Sequence, residues 1–297
     1  MNKINFIVIA LATFAIISFL LSSIIGGEIS DKIVIVQVKG AISSSGSGSP
    51  LEGTGASSLN ILETLKEAEK DSSVKAIVLE IDSPGGSVLP SKEVMEKVKE
   101  IEKPVVAWIR STGASGAYWI ASSSDYIIAD ELSIVGSIGV VSSYLDYSGL
   151  LEEYNVNYNR LVTGEFKDTR SPFKELTEKE NKLLMSKLNQ IHNYFVESVA
   201  ENRNMSSKEV SKLATGEFFL GQEAIKYGLI DELGGRDQAL NKSKELAGIE
   251  KAEIVTHKET TSLLNYLFDS KTSYVVGQGI GSVILEKASS DELEIKL

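Results

Sequence analysis

The chain has 297 residues, 42% hydrophobic and 24% charged, which suits a globular protein of one large domain or two small ones. A formal net charge of -11 argues against a nucleic-acid partner, because neutralising phosphates takes clustered lysine and arginine. Without any cysteine, metal-finger and redox-disulfide readings fall away.

From Ile4 to Ile25 the chain carries no charge. As a helix rising 1.5 Å per residue this stretch would span roughly 33 Å, the width of a bilayer's hydrocarbon core. A cleaved signal peptide has a shorter apolar region of about 7–15 residues and a small-residue cleavage site, which does not follow Ile25. Residues 4–25 are therefore expected to form an uncleaved transmembrane anchor. Lys3 precedes it while Glu28 and Asp31 follow, which puts the amino terminus in the cytoplasm and the remaining chain on the extracytoplasmic side of the cell membrane.

KIVIVQVKGAI, from Lys32, reads as a strand, and the Gly/Ser-rich stretch from Ser43 to Ser58 as a mobile loop. SSLNILETLKEAEKD has apolar positions at Leu59, Leu62, Leu65 and Ala68, so a helix follows, and then the strand VKAIVLEID. VLPSKEVMEKVKEIEK continues as a helix and PVVAWIR as the next strand, giving repeated βαβ units and a parallel sheet. GAYWIASSSD reads as a helix, YIIADELSIVGSIGVVSSY as two short strands around a Gly-Ser turn, and YNRLVTGEFKDTRSPF as a strand running into a loop. Thr177 and Glu180 form a capping box for a long amphipathic helix with Leu184, Leu188, Ile191, Phe195 and Val199 on one face. TGEFFLGQEAIKYGLIDELGG turns at its glycines, a short helix starts at Arg236, and AEIVTH reads as a strand. From Lys258 the pattern weakens towards a loosely held tail.

Two turns interrupt this alternation where an α/β protein places its chemistry, Asp82-Ser83-Pro84-Gly85-Gly86-Ser87 and Ser111-Thr112-Gly113-Ala114-Ser115-Gly116-Ala117. Each lies between a strand and a helix, so helix N-termini should face one crevice suited to a developing negative charge. A Ser-His-Asp hydrolase needs an imidazole beside such a turn. The only histidines are His192, on the long helix, and His257, near the end of a late strand, and the ordinary role of both is structural or on the surface. If Ser115 is a nucleophile its base must be another group, and a desolvated lysine is the known alternative, which makes Lys167 in GEFKDTRSP the candidate. On composition alone that pairing is weak: most lysines in polar loops are solvated, and Gly-Ala-Ser-Gly is also a good structural turn. Val88, Leu89 and Tyr118 are candidate pocket walls, although a core role is the more ordinary one for each.

The ordered set SPGG, STGASGAYWIAS, VGSIGV, GEFKDTRSPF and FLGQEAIKYGLIDELGG resembles the signal peptide peptidase A family of serine-lysine proteases, in its short, single-repeat form. The likeness runs from Lys32 to about Gly248 and includes the amino-terminal anchor. It implies a ClpP/crotonase-like βαβ superhelix with one transmembrane helix, divided into an anchor at 4–25, a protease domain at 32–250 and a carboxyl-terminal extension and tail at 251–297. It implies Ser115 as nucleophile, Lys167, 52 residues further on, as general base, and Ser137 as the hydroxyl that holds the lysine in place. The amides of Gly86 and Gly116 would form the oxyanion hole. The implied substrates are apolar peptides, including signal peptides left in the membrane after secretion, with no cofactor and no metal. The duplicated half of the long members is missing from this sequence, and the short members build a closed homo-oligomeric ring in which the serine of one subunit meets the lysine of its neighbour.

Elementary chemistry fits those roles. A lysine removes a hydroxyl proton only as the neutral amine, which requires desolvation and no tight carboxylate partner, so Asp168 should point away from its neighbour Lys167. Two other readings use the same turns. One is the related membrane protease group that cleaves stomatin-like partners, with a shorter serine-lysine separation. The other is a non-proteolytic crotonase-type enzyme that holds an acyl-CoA enolate on paired amides, where Ser115 and Lys167 would be incidental.

Overall fold

Apolar residues, most of them valine and isoleucine, fill positions 33–38, 77–81 and 105–109 apart from Gln37 and Glu80, and they are buried, as strands covered on both faces must be. In the computed structural model, which describes residues 31–45 and 55–257 together with Thr13, these runs are β1 (Lys32–Lys39), β4 (Val74–Ser83) and β5 (Val105–Ala114). They lie side by side in parallel, extended by β6 (Tyr126–Ala129) and β9 (Glu232–Leu233) at one edge and β10 (Glu253–His257) at the other, in the order β10-β1-β4-β5-β6-β9. The short pair β2 (Ile42–Ser43) and β3 (Ala56–Ser57) forms a separate two-stranded sheet. The expected mixed α/β architecture with a parallel sheet is present. The expected anchor at 4–25, apart from Thr13, and the tail from 258 lie outside the described residues, as does most of the Ser43–Ser58 loop. Among the described residues no helix is long and apolar enough to cross a membrane.

Alternation along the strands gives the sheet two cores. Val34, Val36, Ile77, Leu79, Ile81, Ala107 and Ile109 point to one face, under α1 (Ser58–Lys70), α2 (Val88–Glu100), α3 (Gly116–Ser122) and the carboxyl-terminal half of the long α5 (Glu178–Asn202). Ile33, Ile35, Ala76, Val78, Val106 and Trp108 point to the other, where α8 (Arg236–Ala247) supplies Ala239 and Leu240. Tyr118 is wholly buried and its hydroxyl donates to the Leu229 carbonyl at 2.9 Å, so it belongs to the core and is no pocket wall.

Four local expectations change. β5 does not stop at Arg110 but runs to Ala114, because Thr112–Ala114 pair with a short extra strand, β7 (Ile134–Gly136). That strand ends before Ser137, pairs antiparallel with β8 (Phe218–Leu220), and no strand follows the Gly-Ser turn. Tyr158–Phe173 contains no strand: its residues are mostly exposed, no neighbouring edge takes up a ladder of backbone bonds, and the chain from Gly164 instead closes turns such as Lys167 N–H to Gly164 O at 3.2 Å. On α1 the buried set is Ile61, Thr64, Leu65 and Ala68, and Leu59 is exposed, because the helix begins at the Ser57 cap and turns Leu59 outward.

Candidate active site

The loop after β4 is tied down before it does anything else. Ser83 is fully buried; its hydroxyl donates to the Gly40 carbonyl at 2.6 Å and accepts the Gly85 N–H at 3.1 Å. The Ile42 N–H donates to Gly85 O at 2.9 Å, and the Ser87 N–H to Ile42 O at 2.8 Å. Only glycine fits the next two positions. At Gly85 φ is +95°, and a Cβ there would sit 2.7 Å from the Gly116 nitrogen; at Gly86 a Cβ would sit 2.1 Å from the Ile42 oxygen. The SPGG turn therefore packs directly on the Ser115 turn. The Gly86 and Gly116 amides hydrogen-bond to no described residue, and a Cβ on Gly116 would lie 3.5 Å from the Gly86 nitrogen, so two unspent N–H donors share one neighbourhood.

Ser115 stands between the end of β5 and the start of α3 with φ +51° and ψ -123°, a conformation that L-residues rarely adopt and that costs on the order of 1–3 kcal/mol. Its surroundings hold it there: its N–H donates to Gly136 O at 2.8 Å, its carbonyl accepts from Trp119 N at 3.0 Å, and the preceding Ala114 is paired to Gly136. A serine at a helix N-cap usually turns its hydroxyl onto the helix's free amides. Here that bond is not made, so Oγ stays available for chemistry.

Ser137 also has a positive φ, of +49°. Its hydroxyl donates to the Gly216 carbonyl at 3.1 Å, its N–H to Glu217 O at 2.9 Å, and the Gly216 N–H returns a bond to Ile138 O at 3.0 Å. An open cleft of about 450 Å³ joins Ser115, Ser137, Pro84, Val140 and Thr215. His192 lines it too, which corrects the expectation that neither histidine sits beside a catalytic-looking turn. A smaller recess of about 90 Å³ opens beside Ser115 and Gly116, walled by Val88, Trp119, Val140, Val141 and Phe195. It is apolar and suits an apolar side chain next to a scissile bond. Trp119 is fixed in it by stacking on Phe195 at 4.6 Å between ring centroids. Of the other two candidate walls, Val88 lines the recess, whereas Leu89 is exposed and lines neither cleft.

Lys167 is elsewhere. It is exposed, lines neither cleft, and its ammonium makes no hydrogen bond or ion pair among the described residues. Asp168 does point away from it, for a reason the sequence did not suggest: Arg160 grips its carboxylate with both Nε and Nη2, the latter at 2.8 Å, and holds its pKa below the usual carboxylate range. The signal that could have found this pair was a cation eight residues before an anion across a Gly-containing turn. The loop is moored to α5 through Glu180. That carboxylate accepts from Lys174 at 2.7 Å, from the Thr177 N–H and hydroxyl at 2.9 and 2.8 Å, and from the Thr169 hydroxyl at 3.3 Å. The Lys174 ammonium is the main reason its pKa falls to about 2. The capping box was legible, its link to Thr169 was not, and the buried Ser83 that seats the first turn was missed altogether.

A strained, uncapped serine between two free backbone amides, on an α/β scaffold, is the arrangement of an acyl-transfer site, and comparison with known proteins agrees that this is a serine-type peptidase. The chain belongs to peptidase family S49, of the ClpP-like serine protease clan, whose family model matches residues 97–250. It is 38% identical to a putative protease of Methanocaldococcus jannaschii over 76% of this chain and 72% of that one. It is 35% identical to a putative signal peptide peptidase SppA of Enterococcus faecium, over 80% and 70% respectively. With Protease 4 of Haemophilus influenzae the identity is 34%, over 74% of this chain but 35% of the relative. Among solved structures, the 1510-N membrane-bound stomatin-specific protease, as a lysine-to-alanine mutant in complex with a substrate peptide, superposes with a TM-score of 0.51 over 80% of this chain and 98% of that one. At 15% identity that likeness is one of fold.

Proposed function

We propose that this peptidase is a membrane-anchored endopeptidase with a serine-lysine dyad, acting on apolar peptides and among them signal peptides left in the membrane after secretion. In this reading the Ser115 hydroxyl loses its proton to the neutral amine of Lys167 while Oγ attacks the scissile carbonyl carbon. The carbonyl oxygen takes the negative charge and receives the N–H groups of Gly86 and Gly116. The lysine ammonium then gives its proton to the departing amine, leaving an acyl ester on Ser115, which water hydrolyses with the lysine again acting as base. Ser137 orients the lysine. The observation that carries the reading is Ser115 itself, held at φ +51° with its hydroxyl unspent beside two unpartnered amides.

Lys167 enters this site from a neighbouring copy in a closed ring. Two features support that: a lysine that acts as a base has to be shielded from water, whereas Lys167 is exposed, and the segment leading to it exposes Val141 (89%), Leu145, Leu150 and Leu161 (97%). A surface so apolar marks an interface. The anchor at 4–25 confines the enzyme to the membrane, and the relative described as a putative signal peptide peptidase supports the substrate class. The test is a fluorophosphonate probe on the full chain. Labelling mapped to Ser115 and abolished in Ser115→Ala is expected; labelling that persists in that variant rejects the assignment.

A further inference from the structure

Ser137 is held by a stretch of backbone, and that backbone has an anchor of its own. The link from α6 (Ser207–Leu213) to β8 passes through Ala214, Thr215, Gly216 and Glu217. Gly216 and Glu217 offer the two carbonyls that receive the Ser137 hydroxyl and N–H. At the start of the link the Ala214 N–H closes the last turn of α6 on Val210 O at 2.9 Å. The Ala214 carbonyl lies 2.9 Å from Nε2 of His192, across from α5. A carbonyl only accepts, so Nε2 carries the proton. Between the two anchor points the only side-chain bond among the described residues is a long one, Glu217 N–H to the Thr215 hydroxyl at 3.4 Å. Ala214 at the start of the link is buried in the core, whereas Gly216 has φ +85° and open space where a Cβ would be, so no side chain packs at the residue whose carbonyl receives the Ser137 hydroxyl. The imidazole is half-buried and borders the same cleft as Ser115 and Ser137.

We propose that His192 is a positioning residue: its bond to the Ala214 carbonyl sets the place of the Ala214–Gly216 link, and through the Gly216 carbonyl the direction of the Ser137 hydroxyl. This rests on the reading in which Ser137 orients the base. It gives the imidazole a role without proton transfer although it lines the cleft that holds Ser115. α5 then has contacts to both halves of the site: Glu180 near its N-terminus meets Thr169, two residues from Lys167, and His192 lies further along the same helix.

The experiment measures kcat and KM of the full chain on a fluorogenic peptide with an apolar residue before the scissile bond. His192→Gln offers an N–H at about the reach of Nε2, His192→Met has similar length without a donor, and His192→Phe keeps the ring without a donor. Each is made alone and in a Ser137→Ala background. Losing one neutral hydrogen bond predicts a kcat roughly two- to tenfold lower in the Met and Phe variants, with KM unchanged and most of the rate restored by Gln. In the Ser137→Ala background the Met and Phe substitutions should have no further effect, because the hydroxyl they misdirect is gone. Full additivity in that background, a change confined to KM, or no rescue by Gln overturns the proposal. Should the Phe variant fail to melt cooperatively, the comparison of Gln with Met decides alone. The underlying reading fails separately: a Ser137→Ala rate equal to wild type removes Ser137 from the mechanism, whereas slow Ser137→Ala with silent His192 variants sinks only the role of His192.

Discussion

Around Ser115 the backbone is tied to the strands of the sheet, whereas around Lys167 the ties stay within one exposed segment and the start of α5. Ser115 bonds to Gly136, Gly85 sits against Gly116, and Ser83 closes the loop from beneath, with partners tens of residues apart in sequence. Arg160 with Asp168, Lys174 with Glu180, Arg170 with the Ser143 carbonyl and the Tyr147 N–H with the Pro172 carbonyl all join residues of the one stretch 143–180. Partners far apart in sequence hold a strained conformation in place because the whole core stands behind them. Local ties shape a loop without fixing where it stands against the sheet. In the proposed reading the oxyanion half of the site is held within one chain, and the loop bearing Lys167 is the half that a second copy would complete.

The largest expected effect tests the complete half. Ser115→Ala should lower kcat by roughly 10⁴- to 10⁶-fold while the melting transition stays in place, since the hydroxyl makes no structural bond. Lys167→Ala should fall as far, because nucleophile and base act as a unit. If the comparison drawn above is right, the two inactive chains complement each other. Unfolded together and reassembled, Ser115→Ala and Lys167→Ala subunits leave about a quarter of interfaces with both native groups, and activity should return to that order. Co-assembled rings, confirmed by a tag pull-down, that stay inactive would show that Ser115 finds its lysine within its own subunit.

Next in size is Gly86→Ala. The new methyl would sit 2.1 Å from the Ile42 oxygen, so the backbone must move and take the Gly86 amide with it. A displaced oxyanion donor typically costs about 10²- to 10³-fold in kcat. Activity within tenfold of wild type, in a variant that still folds, would exclude Gly86 from the oxyanion hole.

These residues also show what could be read from the chain alone. The strands were legible because burial on both faces leaves continuous valine and isoleucine, and Gly85 and Gly86 because positive φ and backbone crowding admit nothing else. The end of β5 was not, since Ser111-Thr112-Gly113-Ala114 has the composition of a turn and becomes strand because β7 lies on one side of it and Ser83 of β4 pairs with Gly113 on the other. A structural role for His192 was the expectation and its bond to the Ala214 carbonyl agrees, but its place beside the cleft was not legible, because that partner is a backbone group that leaves no mark in the sequence. On α5 the single face read from the periodicity exists, but only its Phe195 and Val199 end is buried, while Leu184, Leu188 and Ile191 are half-exposed.

The smallest effect concerns stability of that outward half, and acid should reveal it. Glu180 is 3% exposed and its pKa is held near 2, below the ordinary value of 4.5, chiefly by Lys174 and the Thr177 N–H. A carboxyl whose folded pKa is depressed stabilises the fold fully above its unfolded pKa, and the contribution drains away as pH falls from about 4.5 towards 2. Because its partners are local, the loss should be local too. Hydrogen exchange at the amides of residues 166–181 should quicken between pH 5 and 3, after correction for intrinsic rates, while the amides of α2 and β5 stay protected. Asp168, held low by Arg160, titrates in the same direction, so the variant Glu180→Gln separates the two. It should loosen the same amides at neutral pH already, by roughly 1–3 kcal/mol of local stability, and leave only the shallower Asp168 step in acid. An acid response as steep in Glu180→Gln as in the native chain would mean that Glu180 is not the mooring of the loop bearing Lys167.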